Sequence, residues 1–168
     1  LKKNIDRGFE NQSLFEIGPS FIGKKPGEQI TVVCGIRKEN DIDIFDIKKD
    51  LVQTLVELGL DRKETKVDIN TPSYYHPGRS GSIITKNDQS LIAYFGQIHP
   101  KIIDNIYGFE IFLENVVKYK TKNKKEKPTI AFSDYQKSER DFAFVVQKDF
   151  QAQVLIEIIS NVDKSLIK

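Results

Sequence analysis

The sequence predicts an α+β fold in two units joined by a lysine-rich stretch. Short β-branched runs, bounded by Gly, Pro, Asn and Asp, recur between residues 13 and 113 and read as strands. One longer stretch, Ile44–Leu60, carries its apolar residues at helical spacing. Residues 118–127 then hold six Lys and one Glu, and a new strand-then-helix pattern begins after Pro128. With 39% hydrophobic and 30% charged residues, 168 residues suffice for one domain, or one domain plus part of another.

In chain order, residues 1–12 read as the tail of a helix. Ser13–Ile22 alternates apolar and polar residues and is expected to break at Gly18-Pro19. Gly23–Gly27 is a turn, and residues 29–37 form a largely buried strand. In Ile44–Leu60 the apolar face is Ile47, Leu51, Leu55 and Leu58, Asp43 can cap the start and Gly59 lies at the end. Residues 65–70 are a further strand.

Tyr75-His76-Pro77-Gly78-Arg79-Ser80 then reads as a strand end and a type II turn, with Pro77 and Gly78 at its centre. Ser82–Thr85 and Leu91–Ile98 form a hairpin through Lys86-Asn87-Asp88-Gln89. Gly96 marks close approach of a backbone or ligand. Pro100 can open a short helix to Tyr107, and Phe109–Leu113 is a last strand. Beyond the lysines, Arg140–Val146 reads as a strand with Phe142, Phe144 and Val146 on one side. Gln151–Val162 reads as an amphipathic helix. About 40 residues cannot make a stable domain alone, so this second unit is expected to be cut short.

Charge and cysteine content narrow the function classes. The net charge of +2 divides into −2 over residues 1–117, +5 over 118–127 and −1 over 128–168. RNA affinity built on phosphate neutralisation would therefore lean on the lysines; a solvated linker is the plainer reading. A single cysteine, Cys34, excludes an internal disulfide and fits a reducing cytoplasm; its β-branched neighbours point to a buried structural thiol. No apolar run approaches membrane-spanning length, and no signal peptide is visible. The chain opens Leu-Lys-Lys and contains no Met, as expected of a piece of a longer protein.

His76 and His99 each precede proline, and with one cysteine they form no metal-ligand spacing, so bonds to nearby backbone are expected of them. Arg79 suits a carboxylate, a phosphate or an acid of a partner subunit, against an internal salt bridge to Asp68, Glu16 or another acid. Arg140-Asp141 reads as an intramolecular pair. Phe142 and Phe144 suit either core packing or base stacking. Neither a phosphate-binding P-loop nor a G-x-G-x-x-G run nor a G-x-S-x-G elbow is present.

Three segments in order carry a resemblance: Phe15-Glu16-Ile17-Gly18-Pro19, Tyr75–Ser80, and Phe95-Gly96-Gln97-Ile98-His99-Pro100. Together they resemble the β subunit of bacterial phenylalanine–tRNA ligase, in its C-terminal portion, and Ser133–Val146 resembles the first strand of that subunit's anticodon-binding domain. Gln97 stands where Glu is common in the family, and Gly81 where Ala is usual.

The resemblance implies that residues 1–117 are the latter half of a class II synthetase catalytic-like domain, an antiparallel sheet with flanking helices that has lost its active site. Residues 118–127 would be a linker, and 128–168 the first strand and helix of a ferredoxin-like domain. It further implies an α subunit partner in an (αβ)₂ heterotetramer, contact with tRNA(Phe), cytoplasmic location and no membrane. No cofactor would be bound by this segment, with ATP and Mg²⁺ used by the whole enzyme. No catalytic or metal residue is expected here. His76, Arg79 and His99 would form a subunit-interface or structural corner, and Lys118, Lys120, Lys122, Lys124, Lys125 and Arg140 the RNA contacts. Two alternatives use the same residues: a free-standing RNA-binding or protein-interaction module, and a small enzyme built on His76 and Arg79, which would need a deep pocket around both.

Overall fold

A computed structural model describes residues 1–119, 136 and 138–163. The chain divides into two compact units, Leu1–Glu126 and Lys127–Lys168. In the first, a short helix α1 (Lys2–Ile5) precedes six strands: β1 (Gln12–Phe21), β2 (Gln29–Lys38), β3 (Thr65–Asp68), β4 (Tyr75–Thr85), β5 (Leu91–Ile98) and β6 (Tyr107–Phe112). They form one antiparallel sheet in the order β1-β2-β6-β5-β4-β3. Helices α2 (Ile44–Glu57) and α3 (Leu113–Tyr119) pack on it.

The helix-facing side of the sheet follows from register. Ala93 pairs with Ile111, and Ile111 with Val33; Phe95 pairs with Phe109, and Ile83 with Ala93. Period-two alternation sends all of these to one face, where they meet Ile47, Leu51 and Leu55 of α2 in the main core. Helix α2 forms as its sequence predicts. The Asp43 carboxylate accepts the Phe45 and Asp46 amides at 2.7 and 3.1 Å, and Asp46 accepts the Asp43 amide in return at 3.0 Å. Gly59 follows the helix at φ +92°.

Four expectations are corrected. β1 does not break at Gly18-Pro19: Pro19 pairs with Thr31 inside the strand. β1 is an edge strand, where a residue without an N–H can be accommodated. Tyr75–Ser80 is not a turn between elements. β4 runs through it, Gly78 has no positive φ, and the turn lies upstream, where the Tyr75 amide donates to the Pro72 carbonyl at 3.0 Å.

From the Tyr75–Ile98 pair to the Ser80–Gly96 pair, β4 spans five residue steps while β5 spans two, so the hexapeptide is an irregular bulge with three extra residues. Pro100–Tyr107 is a chain of turns rather than a helix; Asn105 takes φ +51°, and Tyr107 already belongs to β6. Helix α3, where a strand end and linker were expected, is tied down by two long-range bonds. The Thr31 amide donates to Glu114 Oε1 at 2.7 Å, and Asn115 Nδ2 donates to the Leu91 carbonyl at 2.8 Å.

In the second unit, helix α4 (Ala152–Val162) lies where the amphipathic pattern puts it. The strand expected at Arg140–Val146 is not formed: residues 138–150 are irregular. A strand needs a ladder partner, and the described residues of this unit supply none. Phe142 and Phe144 sit ring to ring at 6.4 Å, both exposed. Of the strand and helix expected to begin a ferredoxin-like domain, the described residues form a helix and no strand.

Candidate functional site

The bulge in β4 assembles the corner formed by His76, Arg79 and His99. Proline lacks an N–H, so in a His-Pro-X sequence the first amide after the histidine belongs to X. Both histidines use it: the Gly78 amide donates to His76 Nδ1 at 3.0 Å, and the Lys101 amide to His99 Nδ1 at 3.2 Å. The His99 amide donates to the Tyr74 carbonyl at 2.8 Å, which continues the ladder beyond the Tyr75–Ile98 pair and sets the two rings near each other. Their centroids stand 6.4 Å apart with planes at 28°.

Arg79 Nη1 donates to Oε1 of the buried Gln97 at 3.1 Å. The internal salt bridge expected for Arg79 is not formed among the described residues; Arg37 makes both ion pairs found there, to Glu39 and Asp50 at 2.7 Å. Ser80 Oγ donates to the His76 carbonyl at 2.7 Å and lies 2.8 Å from Thr71 Oγ1, closing the bulge.

On the opposite face of the sheet lies a cluster that sequence reading missed. Glu16, Cys34, Glu110 and Tyr94 are neighbours across four strands, β1, β2, β6 and β5. Tyr75 donates to Glu110 Oε1 and Tyr74 to Oε2, each at 3.1 Å. Tyr94 meets Phe112 edge-on at 5.6 Å. Burial, reinforced by the Glu110 charge, pushes the Tyr75 and Tyr74 phenols well above their ordinary range. Burial, then Glu110 and Glu16, likewise pushes up the thiol of Cys34, which is half-buried rather than buried. A thiol held protonated is a poor nucleophile. Only register brings these residues together, since Tyr75 and Glu110 are far apart in the chain.

The remaining expected site residues are five lysines and Arg140. Lys118 lies exposed in the last turn of α3. Lys120, Lys122, Lys124 and Lys125 fall outside the described residues. Arg140 is exposed and donates to the Glu139 carbonyl at 2.8 Å; the pair expected with Asp141 is not formed among the described residues.

Two hollows stand out among the described residues. One of about 230 Å³ lies between β1, β2 and the start of α2, lined by Phe15, Gly35, Ile47 and Phe109 among others; the second, in the C-terminal unit, is lined by Val145 to Val154. Neither includes His76 or Arg79, so neither supplies the pocket that an enzyme built on those two would need. Above the first hollow runs an apolar stripe. Phe15, Ile17, Pro19 and Phe21 share the helix-side face of β1, but α2 lies over β5 and β6. Phe15 is left 81% and Phe21 76% exposed.

Comparison with known proteins gives a consistent picture. Residues 1–111 match the family described as the phenylalanyl tRNA synthetase beta chain CLM domain. The chain is 35% identical over 182 residues to the phenylalanine–tRNA ligase β subunit of Paramagnetospirillum magneticum, covering 98% of this chain and 23% of that protein. Against the β subunit of Bartonella quintana it is 32% identical over 187 residues, covering 99% and 23%. The chain therefore spans about a quarter of the length of these relatives. A looser likeness, at TM-score 0.47 and 15% identity, links 69% of it to 43% of a pyrrolysyl-tRNA synthetase from Desulfitobacterium hafniense.

Proposed function

The chain belongs to the phenylalanyl-tRNA synthetase β-chain family, and from that premise we propose that it is an assembly segment of the enzyme, without chemistry of its own. Its first unit packs against the α subunit in an (αβ)₂ heterotetramer in the cytoplasm. The α subunit activates phenylalanine with ATP and Mg²⁺, and the second unit contributes to holding the anticodon end of tRNA(Phe). No described helix is long and apolar enough to cross a membrane.

The observation that carries the assembly role is the uncovered apolar stripe of β1. Large apolar side chains in a contiguous row on an edge strand are the signature of a surface that another chain covers. Burying a Phe side chain there is worth about 2 kcal/mol. The test is Phe15→Asp with Ile17→Asp in the full-length β subunit coexpressed with α, followed by analytical ultracentrifugation. The expected result is free α and β species in place of the heterotetramer; unchanged assembly would overturn the reading. Phenylalanine-dependent pyrophosphate exchange by this chain alone would overturn the absence of chemistry.

A further inference from the structure

At the corner of His76, Arg79 and His99, hydrogen-bond donors are in excess. An imidazole whose Nδ1 accepts a hydrogen bond carries its proton on Nε2. Both His76 and His99 have Nδ1 so occupied, by the Gly78 and Lys101 amides. Each ring therefore offers an Nε2–H, and neither Nε2 has a hydrogen-bond partner among the described residues. Such a nitrogen has no lone pair to give a metal, so the stacked pair is a pair of donors rather than of ligands.

Beside them Arg79 is held by one N–H to Gln97 Oε1, and Gln97 is only 4% exposed. The other guanidinium N–H groups have no carboxylate among the described residues. Gln97 lies between Gly96, which pairs with Ser80, and Ile98, which pairs with Tyr75, and the ring of His76 stands 6.4 Å from that of His99. Two imidazole N–H groups and a cation tied to a buried side chain thus belong to one corner of β4 and β5, with no carboxylate bonded to them among the described residues.

We propose that this corner receives one carboxylate side chain of the α subunit, bound by the Arg79 fork and the Nε2–H groups of His76 and His99. The inference rests on the assembly reading above and names the chemistry of the contact. A planar carboxylate fits a guanidinium in bidentate fashion. An RNA phosphate backbone is the less suited anion, because it is held by repeated cations, whereas residues 1–117 carry a net charge of −2.

The experiment uses the full-length β subunit carrying Arg79→Lys, assembled with α and treated with a carbodiimide. This reagent couples an amine to a carboxylate in direct contact and leaves a guanidinium untouched. Mass spectrometry is expected to find position 79 joined to an Asp or Glu of α, a product absent from the wild type. Coupling to an acid of the β subunit itself, or no coupling at position 79 in an assembled complex, would overturn the inference.

In parallel, Arg79→Ala is expected to weaken α–β association about tenfold, with the loss shrinking at high salt. Unchanged association with weakened tRNA binding would assign the corner to a phosphodiester and overturn the carboxylate. Assembly abolished by the β1 substitutions with both position-79 readouts negative leaves the assembly reading standing and removes this inference alone. Assembly unaffected by the β1 substitutions removes the reading itself.

Discussion

Gly96 passes so close to Ser80 that a Cβ at position 96 would stand 2.5 Å from both the Cα and the Cβ of Ser80. The same Cβ would lie 2.5 Å from the Arg79 carbonyl oxygen, and Gly96 holds φ at +143°. The bulge of β4 is possible because β5 has no side chain where the extra residues press in.

Gly96→Ala is therefore expected to cost about 3 kcal/mol, from backbone strain and overpacking together. Gly18→Ala is the control. Its added Cβ would meet nothing nearer than Glu16 Oε1 at 3.8 Å, so a change within about 0.5 kcal/mol is expected. Urea denaturation of the two variants against the parent checks the difference. Equal stabilities would mean that the bulge does not depend on this contact.

The Asp43 cap allows a cleaner measurement, because it lies at the surface and touches no interface residue proposed above. Asp43→Ala should destabilise by about 1 kcal/mol, while Asp43→Asn, which keeps an accepting oxygen, should recover most of the loss. Thermal melts followed by circular dichroism distinguish the two. A full loss in Asp43→Asn would show that charge at the helix start, not the accepted amides, supplies the stabilisation.

Tyr75 makes stability fall at alkaline pH. Its folded pKa is raised above the ordinary 10.0, chiefly by burial and then by the Glu110 charge. Its contribution is fully present below pH 10.0. Above that value the unfolded chain releases the phenolic proton while the folded chain keeps it, so stability declines. One such tyrosine gives a slope of about 1.4 kcal/mol per pH unit. Tyr75→Phe is expected to remove about 1.4 kcal/mol of the stability lost between pH 9 and about 11, read from urea midpoints. An unchanged slope would mean that Tyr75 ionises freely in the native state.

What could be read from the sequence divides along local and non-local lines. Helix α2 was legible because its stripe, its Asp43 cap and Gly59 all lie within one short stretch and agree. The His-Pro pairs were legible as backbone-bonded histidines for the same reason. Pro77-Gly78 misled because local turn chemistry was overruled by the ladder on either side of it. Pro19 misled because edge position is decided by which strands assemble, not by the proline. The Glu110 cluster could not be found locally at all: its members come from β1, β2, β4, β5 and β6, and from the turn at Tyr74. Arg140–Val146 has a strand's alternation, but alternation alone supplies no hydrogen-bonding neighbour.

The sheet order also fixes how the chain can be put together in time. Strands β3, β4, β5 and β6 follow one another as a meander, and β1 with β2 is a hairpin. Each can form from contacts near in sequence. The seam between β2 and β6 is different, since it joins residues such as Val32 and Phe112 across the whole intervening chain. Closing that span carries the larger entropic cost, and such closures govern folding speed. Two locally formed halves must meet before Val33 and Ile111 share a core, and until then both sides of the seam expose unpaired strand edges. The β2–β6 seam is therefore the step at which a nascent chain is most open to pairing with the wrong neighbour.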